Sequence, residues 1–309
     1  MFMKRAVNCG LVKADNMKQA ILLLSFGTPR QPSDLLPYLT SIRRGQIPTE
    51  RELEALSARY DAIGQWDNKL LQTMGEEQKK TLESLLKIDA MYLAYLHMPH
   101  SMEEAVESIA AAGYTSILCI VTSPFYSMVG TGAYERKLHS ILRAYPDISC
   151  EIIKSWWNRP QFFEYWRSQL MAANPLQADT ACIFSAHSVP TSTVGNYEDE
   201  VISASNQIAK MVGLNHWYQA WQSAAPYGEW LGPTIESVIE QALLDGAKRI
   251  VCIPFGFVSD HVEILYDNDI ICRNIVENAG ATYERLPMPN GNPLFMEAMA
   301  KAIQERINK

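Results

Sequence analysis

Short, continuous apolar runs recur along this chain, and helical patterns fill the intervals between them. Eight runs have strand length: 20–26 (AILLLSF), 90–96 (AMYLAYL), 116–122 (SILCIVT), 150–153 (CEII), 180–186 (TACIFSA), 217–221 (WYQAW), 249–255 (RIVCIPF) and 281–285 (ATYER). Between them lie amphipathic stretches such as SMEEAVESIAAAG at 101–113 and TIESVIEQALLDG at 234–246. Each of these two ends on glycine, a favoured helix C-terminal stop. Strand-sized runs alternating with helices predict βαβ units and parallel sheets.

The chain also repeats itself. AILLLSFGTP (20–29) is similar to TACIFSAHSVP (180–190), and AAGYTSILCIVTSPFYS (111–127) to LLDGAKRIVCIPFGFVSD (243–260). The expectation is an α/β protein of two similar Rossmann-like halves. Each half is a four-stranded parallel sheet flanked by helices, and the active cleft lies between them at the C-terminal ends of the strands. Residues 1–17 read as a loose N-terminal extension, 18–155 as the first half and 156–309 as the second. Extra residues at about 30–66 follow the first strand, a place where α/β proteins build binding sites.

One helical pattern carries more charge than a helix needs. In SDHVEILYDND (259–269), an α-helix starting after Ser259 lines up Asp260, Glu263 and Asp267. Their stripe is roughly 60° wide. Like charges so placed repel by roughly 0.2–0.5 kcal/mol per pair. Acids suit a helix N-terminus, which accounts for Asp260 and Glu263 but not for Asp267 among apolar flanks. The other reading is a stripe that handles cations. His187, in SAHSVP, stands where the second half's first strand stops, beside that stripe. A lone His there is most often structural. Next to Glu263, however, neutral imidazole plus carboxylate suits a borderline divalent ion such as Fe²⁺, and suits proton removal near neutral pH. In the insertion, SIRRG and SARYDAIG supply Arg43, Arg44, Arg59 and Tyr60. They are either solvated surface charge or a clamp for carboxylates. Phe26, Tyr38, Tyr60, Trp66, Tyr134 and Trp230 are either core or walls for a flat ligand.

Composition narrows the classes. A net charge of −7 and a pI near 5.5 supply no basic face for a nucleic-acid backbone. No apolar run approaches the roughly eighteen residues of a membrane span, and the N-terminus lacks the apolar core of a signal peptide. The six cysteines are scattered, with no C-x-x-C, as expected of a reduced cytoplasmic protein. Glycine-rich nucleotide fingerprints and a G-x-S-x-G elbow are missing from the sequence.

Several motifs together resemble the ferrochelatases: LLLSFGTP, YLTSIRRG, ARYDAIG, SWWNRPQFFEYW, FSAHSVP, WQSAAPYGEWLGP and IPFGFVSDHVEILYDND. The similarity runs from about Lys18 to the C-terminus. It is strongest toward the short, soluble enzymes of Gram-positive bacteria that insert iron into coproporphyrin III. The resemblance implies that Fe²⁺ and a porphyrin are substrates, with no tightly bound cofactor and no iron–sulfur cluster. It also implies a cytoplasmic monomer with no membrane insertion, open to transient partners in haem biosynthesis. By the same resemblance the metal-site pair falls on His187 and Glu263, and the further row of acids on Asp267. Propionate and macrocycle contacts fall on Arg43, Arg59, Tyr60 and Tyr134, with Phe26, Arg44 and Trp230 beside them. Three departures from the family stand out, one being QWDNKLL after Gly64 where the family has a GG-x-S-P element. Phe26 replaces a metal-facing Tyr and cannot ligate iron, and Ile271 replaces an acid one turn beyond Asp267. Those departures leave a second reading open, a non-catalytic porphyrin or haem carrier on the same fold.

Overall fold

The structure is a computed structural model that describes residues 18–308 apart from Lys69, Asn215 and Pro226, and excludes the side chains of 67–72. The extension expected at 1–17 lies outside the described residues. Among the described residues, eight strands form two sheets. The first has the order β2-β1-β3-β4, from β1 (Gln19–Ser25), β2 (Met91–Tyr95), β3 (Ser116–Val121) and β4 (Ser149–Ile153). The second repeats it as β6-β5-β7-β8, from β5 (Thr180–His187), β6 (Trp217–Gln222), β7 (Arg249–Ile253) and β8 (Thr282–Arg285). Every pairing is parallel. Each expected strand is present with its ends within two residues. RIVCIPF stops at Ile253 because Pro254 has no N–H for the ladder.

The helices are α1 (Leu35–Ile42), α2 (Glu50–Ala62), α3 (Gln65–Asn68) and α4 (Leu70–Leu86) in the insertion and just after it. They continue as α5 (Ser101–Ala111), α6 (Thr131–Leu142), α7 (Pro160–Ala172), α8 (Tyr197–Val212), α9 (Ile235–Leu244), α10 (Arg273–Asn278) and α11 (Pro293–Ile307). A ten-residue π-helix, Glu263–Cys272, precedes α10.

Alternating side chains explain why the strands are apolar throughout. In β1, Leu22 and Leu24 enter one core cluster, while Ile21 and Leu23 enter another. That second cluster also takes Phe184 and Ile253 from the other sheet, Phe162 and Trp166 from α7, and Phe295 from α11. The two sheets therefore share one middle layer. The loops that the internal repeat equates, after β3 and β7, meet within it. Phe125 packs edge-to-face on Phe255 with centroids 5.7 Å apart, and both rings are buried. Removing a fully enclosed ring loses its transfer energy and leaves a cavity, so Phe255→Ala should cost about 3–5 kcal/mol in urea unfolding. Leu244→Ala, at a position 82% exposed, should stay within about 0.5 kcal/mol.

Candidate active site

His187 is the last residue of β5, in register with Gln222 of β6. Its carbonyl accepts from the Tyr197 hydroxyl at 2.9 Å. Beneath it the backbone passes at Gly256, where a Cβ would come within 2.4 Å of the Ala186 Cβ. Only glycine lets the β7 loop lie so close under the histidine. The imidazole Nδ1 faces the Ser188 carbonyl, which leaves Nε2 toward Glu263, 3.6 Å from Oε1.

Glu263 opens the π-helix, and here the α-helical expectation is corrected. The segment bonds i→i+5, a rare geometry that recurs at functional sites. Glu263 and Asp267 lie on it, but Asp260 precedes it and is not part of the stripe. Asp260 is a fastener. Its N–H donates to Asn290 Oδ1 at 2.9 Å, and its carboxylate accepts from Asn290 Nδ2 at 2.8 Å and lies 3.1 Å from Arg285. Arg285, from β8, also holds Asp269 through two bonds of 2.7 Å. At the helix start, His261 Nδ1 accepts the Glu263 N–H at 3.2 Å.

Gln222, buried beside His187, ties the strands to this helix. Its Oε1 accepts from Ser185 at 3.0 Å and Asn268 at 3.2 Å, and its Nε2 donates to the Glu263 carbonyl at 3.5 Å. The next residue, Ser223, donates to Asp267 Oδ2 at 2.9 Å. The other oxygen of Asp267 lies 3.5 Å from Arg59 Nη1. Gln222, Ser223, His261 and Arg285 were not among the expected site residues. The partners of Gln222, Ser223 and Arg285 are distant in sequence and leave no local signal, whereas His261 lies inside SDHVEILYDND, two residues from Glu263.

The charges follow from these contacts. Burial opposes the imidazolium of His187, but Glu263, the Ser188 carbonyl and Asp267 outweigh it and hold the pKa at about 9. Burial also opposes the Glu263 carboxylate, and the charges of His187, His261 and Arg59 pull its pKa down to about 2. Asp267 is raised to about 6, by burial and then by Glu263, against Arg59 and Ser223. At neutral pH the site thus holds an imidazolium–carboxylate pair. Among the described residues no three His, Cys, Asp or Glu are grouped to hold a metal ion. The pair offers one imidazole nitrogen and one carboxylate, from facing elements.

The remaining expected site residues come mainly from the first half. Phe26 is 45% exposed, with His97 4.4 Å away and Tyr38 6.4 Å away. Burial and the charge of Lys137 push His97 down to about 4, so it stays neutral, with Nδ1 3.0 Å from Ser41. Tyr60 is buried against Trp66 at 5.3 Å and takes a bond from Thr28 at 3.5 Å. Arg43 pairs with Glu52, the residue that completes the capping box with Thr49 at the start of α2. Arg44 is exposed, with φ +57°. Tyr134 lies in the core beside the first sheet. Trp230 bridges to Pro190, three residues past His187, and its Nε1 donates to Tyr227. The fold brings His187, Glu263, Asp267 and Arg59 into one cluster; Arg43, Arg44, Tyr134 and Trp230 stand outside that cluster.

Comparison with known proteins decides the family. The ferrochelatase family model matches residues 18–307. The chain belongs to the ferrochelatase family. A coproporphyrin III ferrochelatase from Geobacillus kaustophilus is 34% identical over 302 residues, covering 93% of this chain and 95% of that protein. One from Staphylococcus epidermidis is 32% identical over 303 residues, covering 93% and 98%. Two solved chelatases share the fold at low identity. The cobalt-bound sirohydrochlorin chelatase SirB from Bacillus subtilis subspecies spizizenii superposes with a TM-score of 0.60 at 10% identity, covering 94% of this chain and 95% of its own. The siroheme enzyme CbiX gives 0.54 at 13%, covering 93% and 98%. Among the described residues, no helix of this ferrochelatase-family protein is long and apolar enough to cross a membrane.

The pair's electrostatics can be read directly. In the ligand-free protein the His187 ring should stay protonated until about pH 9, followed by its ring resonances in NMR. Glu263→Gln removes the charge that holds the proton and should lower that midpoint by more than one unit. A midpoint near 6.5 in the wild type would contradict the pairing.

Proposed function

We propose that the protein inserts Fe²⁺ into coproporphyrin III, giving the iron coproporphyrin of haem biosynthesis. In this reading it works in the cytoplasm as a monomer, with Fe²⁺ as substrate and no tightly bound cofactor or iron–sulfur cluster. The observation that carries the reading is the His187–Glu263 pair, 3.6 Å apart, in a chain that belongs to this family over nearly its full length.

Metallation exchanges two pyrrole protons for one divalent ion. His187 and Glu263 are placed to receive both kinds of cation. The resting His187 already carries a proton beside the Glu263 carboxylate, and an arriving dication disfavours the imidazolium, so the metal and that proton exclude one another. The neutral imidazole left behind can ligate or accept a proton. Asp267, four residues along the π-helix, passes protons or hydrated metal outward. The ring rests against Phe26, Tyr60 and Trp230, with Tyr134 in the core behind them, and Arg43, Arg44 and Arg59 take its propionates. Phe26 itself has no hydroxyl and supplies no phenolate to the product iron.

The deciding experiment is anaerobic mixing with coproporphyrin III and Fe²⁺, followed by loss of porphyrin fluorescence. Metallation well above background supports the enzyme; a spectral change on binding with background metallation would make the protein a carrier. His187→Ala and Glu263→Gln should each lower kcat by about 10²–10⁴-fold, with porphyrin affinity retained, and Asp267→Asn should cost far less. Wild-type single-turnover rates from either of the first two would overturn the assignment.

Specificity has its own test. Coproporphyrin carries four propionates and protoporphyrin two, so arginine contacts should count more for the first. Loss of a charge-assisted contact is worth about 1.5–3 kcal/mol, so Arg43→Ala should weaken coproporphyrin binding at least tenfold, measured by fluorescence titration. Unchanged affinity would remove Arg43 from the clamp.

A further inference from the structure

Arg59 stands between the places assigned to the two substrates. It rises from α2 in the insertion, and its guanidinium reaches across to the π-helix, 3.5 Å from Asp267 and 5.0 Å from the ring centre of Tyr266. Ser223 occupies the other oxygen of the same carboxylate. Both oxygens of Asp267 are therefore engaged, and a fixed positive charge covers the outer end of the acid pair. Glu263 feels the same charge. Four residues beyond Asp267 the helix carries Ile271, which offers no donor. A dication approaching along this face meets a cation of the protein instead of a free carboxylate.

The contact is also built to be exchangeable. The Arg59 side chain is 45% exposed, and 3.5 Å is a long contact for a charged pair, beyond the roughly 2.7–2.9 Å of a strong one. A carboxylate free to pair bidentately with the guanidinium's planar fork would compete well for it. The proposed substrate brings several.

We infer that Arg59 is exchanged between Asp267 and a porphyrin carboxylate, so that porphyrin binding unmasks Asp267 and raises the site's affinity for a divalent cation. This rests on the proposed function and adds to it a coupling between the two substrates. Because coupling free energy is reciprocal, bound metal must tighten porphyrin binding by the same factor. Arg59 acts here as a positioning and specificity residue and takes no part in the bond changes.

The test uses the full chain without turnover. Calorimetry measures Co²⁺ binding to the porphyrin-free protein, and fluorescence measures coproporphyrin III binding to the metal-free protein. Arg59→Gln should bind Co²⁺ tenfold or more tightly than wild type while binding coproporphyrin tenfold or more weakly. A merely structural role would weaken both. Arg59→Lys keeps the charge and should leave Co²⁺ binding weak, while losing the bidentate contact to the porphyrin. In Arg59→Gln/Asp267→Asn the gain in Co²⁺ affinity should vanish. Unchanged or weaker Co²⁺ binding by Arg59→Gln overturns the inference, and so does a gain that survives the second substitution. Failure of the wild type to metallate coproporphyrin would instead sink the proposed function, and the two failures are read in separate assays.

Discussion

The arginine at the end of β8 holds the candidate site in shape. Arg285 bonds Asp269 inside the π-helix and lies 3.1 Å from Asp260 just before it, so one guanidinium fixes the segment at two points against the second sheet. A π-helix has poorer packing along its axis than an α-helix, and it persists where surrounding contacts over-determine it. A largely buried ion cluster of this kind adds little net stability compared with apolar packing, because desolvation offsets the attraction. What it specifies is geometry. The turn that faces Glu263 toward His187 and leaves Asp267 under Ser223 and Arg59 depends on where Arg285 holds its two acids.

Given that frame, the site's electrostatics are a contest between burial and neighbours. Burial alone would leave both His187 and Glu263 uncharged. Their mutual attraction reverses this, holding His187 at about 9 and Glu263 at about 2. Asp267, farther from the histidine and repelled by Glu263, is the acid whose charge is least secure, at about 6. One carboxylate is committed to the pair and the next is adjustable. Such a gradient suits moving a cation or a proton through the site better than retaining one.

Much of the fold was legible in the sequence because hydrophobic runs report burial directly. The eight strands, their two fourfold groups and the insertion after the first strand follow from that signal and from the internal repeat. His187 and Glu263 were legible because they end or follow recognisable strands. The π-helix was not. Its pitch leaves no mark in the local pattern, and the contacts that hold the segment come from Arg285 and Asn290, 16 and 30 residues beyond the acids they bind. Asp260 was misplaced for the same reason: an acid in a helix's first turn and an acid bound to a distant arginine look alike in one dimension. The partner of Arg59 lies 208 residues away, beyond any local pattern. Tyr134 shows the opposite ambiguity, since an aromatic at helical spacing is read equally well as a ligand wall or as the core it occupies.

The shared middle layer makes the two halves depend on one another. Each sheet has the full topology of a small α/β unit, yet one face of each is covered by residues of the other half, down to the contact of Phe125 with Phe255. A chain cut between the sheets would leave two pieces, each with a large apolar face open to water. The two sheets have the same strand order, yet their inner faces contribute to a single interior, so neither half is a closed unit without the other.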